Sequence, residues 1–267
     1  MKDAGIMKLS RRLTALAGAT FLFVSAQFSS RAASITAISI PNAAGPGAAG
    51  GSLHVTPAGT AWLSWTEPAA KGHALRFAKH SPGVDAWTPA ATIAEGQGWF
   101  FNWADFPAIT AADDGNATAV WFVNNPPTPN GAGDHGHGPG YHARISRTTD
   151  AGRTWSAPEP LTRESNSVEF VSLATLADGR VLAAWLDGRG KHGDAGMQRL
   201  YARIIGSSEP DTLVDSSVCD CCQTTLTAYP DGSALVAYRG RTKDEIRDLR
   251  IARFTGRSEE HTSELQS

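Results

Sequence analysis

The chain has 267 residues, of which 41 % are hydrophobic and 19 % charged, with a formal net charge of −2; this is the composition of a globular protein with a core of its own. A near-neutral charge with no basic patch excludes a polyanion-binding domain, so no nucleic-acid partner is expected. The 27 glycines, 15 prolines and 8 tryptophans, without a long amphipathic helical pattern beyond the N-terminal segment, point to many turns and aromatic packing, hence to an all-β fold.

Residues 1–33 read as a secretory signal peptide. Lys8, Arg11 and Arg12 form a basic start, Leu13 to Ala26 is mostly apolar, and Val24-Ser25-Ala26 or Arg31-Ala32-Ala33 offers small residues for cleavage. The alternative, a membrane anchor, calls for nearer to about 20 apolar residues. No Cys follows the apolar stretch, which argues against a lipid anchor. The mature protein is therefore expected to be secreted or periplasmic, monomeric, and without a membrane span after cleavage. Residues 34–51, rich in Gly, Ala and Pro from Pro41 onward, are expected to form a flexible lead-in.

Four segments then repeat one pattern: Ser52 to Trp65, Pro107 to Trp121, Val171 to Trp185 and Thr224 to Tyr238. Each is a short apolar strand, a turn ending in Gly, a second apolar strand and an aromatic. The glycines are Gly59, Gly115, Gly179 and Gly232, each six residues before its aromatic, and successive glycines are 56, 64 and 53 residues apart. Glycine at such a turn tolerates the positive φ that a tight hairpin requires. A period of this length, with room for two further strands per unit, predicts four-stranded antiparallel blades of a β-propeller, about four of them within 52–256. In the second repeat the further strands are expected at Tyr141 to Ser146 and Ser156 to Leu161. Residues 257–267 form a polar run without strand pattern and read as a non-native tail, the translation of an adapter oligonucleotide, with a genuine disordered tail as the alternative. On that reading the blades form an incomplete ring.

The second repeat also contains Thr148, Asp150, Gly152, Thr154 and Trp155, spaced as Thr-x-Asp-x-Gly-x-Thr-Trp. This resembles the Asp-box of sialidase-like propellers, and a degenerate relative runs from Ser81 to Pro89. The resemblance implies a structural turn between the third and fourth strands of a blade, on the face opposite the active site of sialidases, so Asp150 is not expected to be catalytic. Physically, Asp150 can accept backbone N–H bonds across the turn, Gly152 supplies the unusual φ, and Trp155 packs between sheets.

The loops on the opposite face are where chemistry is expected: Glu67 to His73, Glu95 to Phe106, Asn124 to Gly140, Arg163 to Glu169, Asp187 to Gln198, Asp215 to Cys222 and Arg239 to Asp248. Asp187 with Arg189, and Arg239 with Arg241, follow the repeat aromatics Trp185 and Tyr238 at equivalent positions. Asp105 precedes an inner strand and should lie near the channel mouth. The sialidase resemblance implies an arginine triad for a substrate carboxylate, an Asp acid/base and a Tyr–Glu nucleophilic unit; Arg189, Arg239 and Arg241 are candidates for the first and Asp105 for the second, since the planar guanidinium grips a carboxylate at two points. The Phe/Tyr-Arg-Ile-Pro motif that carries the first triad arginine in sialidases is absent from the N-terminal blade. The opposing reading makes these residues ion pairs that fix loops. Trp99, Phe100, Phe101 and Trp103 form an aromatic group, with Trp103 a candidate for stacking on a sugar and packing between blades as the alternative.

The three cysteines fall in Cys219-Asp220-Cys221-Cys222. Adjacent Cα atoms lie only about 3.8 Å apart, which makes a Cys221–Cys222 bridge awkward. Pairing of Cys219 with Cys221 or Cys222, or of a cysteine with a partner elsewhere, stays open, and a thiolate cluster also suits a soft ion such as Cu(I). Asp134, His135, His137 and His142 offer a second possible metal set in a polar loop. Neither is expected to hold a metal, and no cofactor is expected. Function therefore divides two ways: an exported, exo-α-sialidase-like glycoside hydrolase acting on acidic sugars, or a non-catalytic Asp-box propeller that binds glycan or protein.

Overall fold

The computed structural model describes residues 36–126, 140–189 and 198–255. Among these, fifteen strands and no helix are found, and no helix is long and apolar enough to cross a membrane. The strands fall into successive antiparallel sheets: β1 (Ala49–Val55), β2 (Ala61–Ala69), β3 (Gly72–His80) and β4 (Ala91–Gly96); β5 (Ala108–Ala111), β6 (Ala117–Asn124), β7 (Tyr141–Thr148) and β8 (Glu159–Pro160); β9 (Val168–Thr175), β10 (Val181–Asp187), β11 (Gln198–Ile204) and β12 (Thr212–Val218); β13 (Thr225–Ala228), β14 (Ala234–Arg239) and β15 (Leu249–Phe254). Each sheet is a simple meander in chain order. Its first strand lies against the first strand of the next, β1 by β5, β5 by β9 and β9 by β13. Sheets so arranged are the blades of a propeller.

The repeated glycine has one structural cause. In all four blades the first two strands are joined by the same turn, in which Gly59, Gly115, Gly179 and Gly232 take φ between +82° and +89°. Their N–H groups donate to Thr56, Ala112, Leu176 and Tyr229, and those residues in turn donate to Thr60, Asn116, Arg180 and Ser233. In three blades an aspartate just before the glycine (Asp114, Asp178, Asp231) accepts the N–H of the residue after it. The first blade has Ala58 at that place, and its N–H reaches Asp113 of the neighbouring turn instead.

Strand periodicity decides which blade each side chain serves. Along β6, Ala117, Ala119 and Trp121 join Trp62, Leu75 and Phe77 of the first blade, while Val120 and Phe122 join Ala183, Trp185 and Tyr201 of the third. Along β10, Leu182, Ala184 and Leu186 face the other way, onto Ala234, Val236 and Tyr238 of the fourth. A two-residue period sends alternate side chains to opposite faces, and both faces here are covered by a neighbour. That is why the second strands of the middle blades are almost continuously apolar.

The turn from Thr148 to Trp155 is closed by Asp150. Its carboxylate accepts from Thr148 Oγ1 (2.8 Å), Thr154 N (2.9 Å) and Thr154 Oγ1 (2.6 Å), and these bonds hold its pKa well below the ordinary carboxylate range. Trp155 meets Phe77 of the first blade edge-on, with ring centroids 5.5 Å apart. Lys79 donates to the Ala151 carbonyl at 2.8 Å. A Cβ on Gly115 would come within 2.8 Å of Ala151, so this turn shares a face with the glycine hairpins.

Three details differ from expectation. β1 begins at Ala49, inside the expected lead-in. Glu67 to His73 is not an open loop: β2 and β3 stay paired to Ala69 and Gly72, because Gly72 at φ +104° permits a tight reversal. The expected strand from Ser156 to Leu161 keeps ladder pairing only at Glu159–Pro160. Pro158 and Pro160 carry no N–H and cannot sustain a longer ladder.

Candidate functional site

Asp105 lies in the segment before β5, and its side chain is buried. One carboxylate oxygen accepts the Phe170 N–H at 2.6 Å; the other accepts Tyr141 Oη–H at 2.5 Å and Asn102 Nδ2 at 3.1 Å. Asn102 Oδ1 accepts the backbone N–H groups of Ala104 and Asp105, which fixes the loop. The cluster is thus gathered from the lead into β5, the start of β7 and β9. Burial above all, then the charges of Glu169 and Asp105, push the Tyr141 phenol well above its ordinary pKa. Tyr141 therefore stays protonated and serves as a donor.

Phe170 takes φ +51°. A bulky residue in the left-handed region is uncommon and costs about 1–3 kcal/mol. The register of β9 against β10 shifts at this place, between Ala184 and Leu186, and the resulting bulge aims the Phe170 N–H at Asp105. Its carbonyl accepts Thr224 Oγ1 at 2.8 Å, and Gln223 Nε2 donates to the Ala104 carbonyl at 2.9 Å. Between these groups lies a cavity of about 110 Å³ lined by Asp105, Phe106, Phe122, Phe170, Gln223 and Thr224, among others. It draws on three blades, which places Asp105 where their inner strands converge.

The aromatic group beside it divides in two. Trp99 is buried against Trp121, and Phe100 stacks on Tyr141 with ring centroids 3.7 Å apart. Phe101 and Phe106 are partly exposed, and Trp103, one residue from the cavity wall, is 86 % exposed. An indole presented so fully to solvent contributes nothing to the core.

The four charged candidates do not come together as one clamp. Asp187 is fully buried and bonded to Ser165 Oγ, Trp185 Nε1, Arg189 N and Arg189 Nη2. Arg189 pairs with Asp187 (2.6 Å), Asp211 (2.6 Å) and Glu164 (2.9 Å), and its guanidinium lies 4.0 Å from the Tyr201 ring centroid. Burial disfavours its charge, but the bonds from Asp187 and Asp211 outweigh this and hold its pKa above the usual arginine value. Trp65 makes the bond equivalent to that of Trp185, donating to Glu67 two residues on, so this carboxylate is a packing partner of the repeat aromatic. Arg241 is taken up by Glu245 and Asp220. Arg239, exposed, donates to the Arg247 carbonyl and approaches Cys222 Sγ at 3.7 Å. Arg189 and Arg241 are thus committed to carboxylates of the protein itself.

The cysteines resolve into a Cys219–Cys222 disulfide, with Cα atoms 5.6 Å apart, and a free, exposed Cys221. The three sulfurs stay close together. Of the histidine set, Asp134, His135 and His137 lie outside the described residues; His142 donates from Nδ1 to Asn125 Oδ1 at 2.6 Å.

Tyr141, Asn102, Phe170 and Gln223 escape a reading of the sequence. No motif marks them, and the φ of a phenylalanine cannot be seen in its letter. Only Asp105, placed just before an inner strand, signals the cluster in advance.

No protein-family model matches the chain, and no curated protein matches it. Among solved structures, a protein of unknown function from Dyadobacter fermentans DSM 18053 is similar over 78 % of this chain and 65 % of its own, with 16 % identity and a TM-score of 0.50. An α-L-arabinofuranosidase from Lactobacillus brevis is similar over 79 % of this chain and 69 % of its own, with 10 % identity and a TM-score of 0.49. A Hadza microbial sialidase is similar over 78 % and 56 %, with 14 % identity and a TM-score of 0.42. The chain therefore spans 65 % of the first of these structures and little over half of the last. At these identities the likeness bears on fold alone, and the two below 0.5 carry no argument about activity. Taken with the four meander sheets set first strand to first strand, the fold is an all-β propeller.

Proposed function

We propose that this chain is an exported, sialidase-like Asp-box propeller that binds a glycan or other small acidic ligand at the mouth of the cavity beside Asp105. The observation that carries the reading is Trp103, an indole left 86 % exposed and adjacent in sequence to Ala104 and Asp105 of a mainly apolar cavity that also holds Gln223 and Thr224. A flat aromatic face beside convergent polar groups suits a sugar ring, which is apolar on its faces and polar at its rim. Gln223 and Thr224 supply neutral polar contacts there, and the exposed Arg239 is the cation nearest in sequence to them. The Thr148–Trp155 turn supports the Asp-box part of the reading by its bonding pattern. Export rests on the basic and apolar N-terminal residues alone.

A second reading, hydrolysis in the manner of an exo-α-sialidase, is favoured by one observation: a buried Asp in contact with a half-buried Tyr, with Glu169 close enough to act on the tyrosine. Against it, Tyr141 is held protonated rather than activated, and Arg189 and Arg241 are already paired with carboxylates of the protein. Binding without turnover is the reading the geometry supports better. Calorimetric titration with sialyllactose separates the two when paired with a fluorogenic sialoside. The expected outcome is binding to the wild type, weakened about ten-fold or more in Trp103→Ala, with no hydrolysis above that of Asp105→Asn. Equal affinity in Trp103→Ala would remove the stacking role; turnover lost in Asp105→Asn would establish the hydrolase.

A further inference from the structure

The Cys219–Cys222 loop lies between β12 and β13, directly before the cavity residues Gln223 and Thr224, and sets its three sulfurs beside two arginines, Arg239 and Arg247. The Cys219 sulfur is in the disulfide and buried. The free Cys221 sulfur stands 3.8 Å from it, exposed to solvent. Arg247 Nη1 lies 3.7 Å from Cys219 Sγ and 3.9 Å from Cys221 Sγ, and Arg239 Nη1 lies 3.7 Å from Cys222 Sγ. Both arginines are anchored: Arg239 Nε donates to the Arg247 carbonyl, and Arg247 pairs with Glu245 and Asp220. The backbone is fixed as well, since Cys219 N–H donates to the Arg239 carbonyl and Val218 bridges Gly240.

Two guanidinium groups at this distance oppose a metal cation. A thiolate beside a disulfide sulfur is the reactant pair of thiol–disulfide exchange. We propose that this loop is an exchange site in which the buried Cys219 sulfur passes between Cys221 and Cys222, and the released thiolate reacts with small disulfides. The Cys221 thiolate attacks Cys219 Sγ; the Cys221–Cys219 bond forms as the Cys219–Cys222 bond breaks. The electron pair of the broken bond stays on Cys222 Sγ beside Arg239, and the proton given up by Cys221 returns through water. Nothing is oxidised or reduced overall. Burial of Cys219 shields the shared sulfur, so an external disulfide R–S–S–R meets only Cys221 or Cys222, forming a mixed disulfide and releasing R–S⁻.

The test uses the full chain in its native state. Iodoacetamide marks free thiols, then reduction and N-ethylmaleimide mark the sulfurs that were bonded, and peptide fragmentation locates each label. Exchange predicts carbamidomethyl groups divided between Cys221 and Cys222, with Cys219 always among the bonded sulfurs. Label on Cys221 alone, or on none of the three, would overturn it. Glutathione disulfide should add a single glutathionyl group to the wild type and none to Cys221→Ser; no adduct on the wild type would remove the external step.

Discussion

Asp105 accepts from a backbone N–H, a phenol and an amide, and each of the three donors has no other visible reason to converge. A buried carboxylate is tolerated only when so supplied. Removing one donor tests the arrangement: Tyr141→Phe should cost about 1–3 kcal/mol in urea unfolding, the usual result of leaving a buried acceptor short of a partner. The same phenol gives a pH dependence. Its folded-state pKa is raised by burial and by Glu169 and Asp105, so the fold favours the neutral form. Its contribution is complete below the ordinary tyrosine value of about 10 and declines as pH rises above it. Tyr238, raised by burial and by Asp215, adds to the decline. Stability measured from neutral pH to above about 10 should fall in the wild type and fall less in Tyr141→Phe; parallel curves would contradict the assignment. At this scale the sequence shows residue types but not partners. Arg189 is legible as a charge after a repeat aromatic, yet Asp211, which comes 22 residues later and pairs with it, cannot be found by spacing.

The hairpins and the Thr148–Trp155 turn were the most legible elements. Both depend on local φ and local hydrogen bonds, which a glycine six residues before an aromatic states for the hairpins and the spacing of Asp150, Gly152 and Trp155 states for the turn. Their contacts across blades are less visible. Gly152 sits at φ +86°, and a Cβ added there would collide with the Phe77 ring of the first blade. Gly152→Ala is therefore expected to lose about 1–3 kcal/mol, from the strained φ together with displacement of Phe77. Gly179→Ala is the control, since its φ is +84° but a Cβ there meets nothing within 4 Å. Chemical denaturation should rank Gly152→Ala below Gly179→Ala; equal losses would mean that φ alone matters and the blade contact does not. β8 was the least legible element, because Pro158 and Pro160 leave it extended but largely unpaired, which hydrophobic pattern cannot report.

Across the molecule, the repeat predicts the number of sheets and the face on which the turns gather. It does so because β6 and β10 must satisfy two neighbouring blades at once, and that demand writes a near-continuous apolar run into each. What the repeat cannot predict is the site: Asp105 and Gln223 stand where the other blades carry other residue types, while Phe170 matches Phe106, each nine residues before its turn glycine. Among the strands of the described residues, the large exposed apolar side chains are Leu53 and Val55 on β1, Leu213 on β12, and Leu249 and Ile251 on β15. The central claim is that ligand enters at the cavity beside Asp105 rather than on the hairpin face. Hydrogen–deuterium exchange with saturating sialyllactose tests it directly. The account predicts slower exchange confined to residues 100–106, 168–171 and 222–224; protection confined to the hairpin turns near Gly59, Gly115, Gly179 and Gly232, or none anywhere, would contradict it.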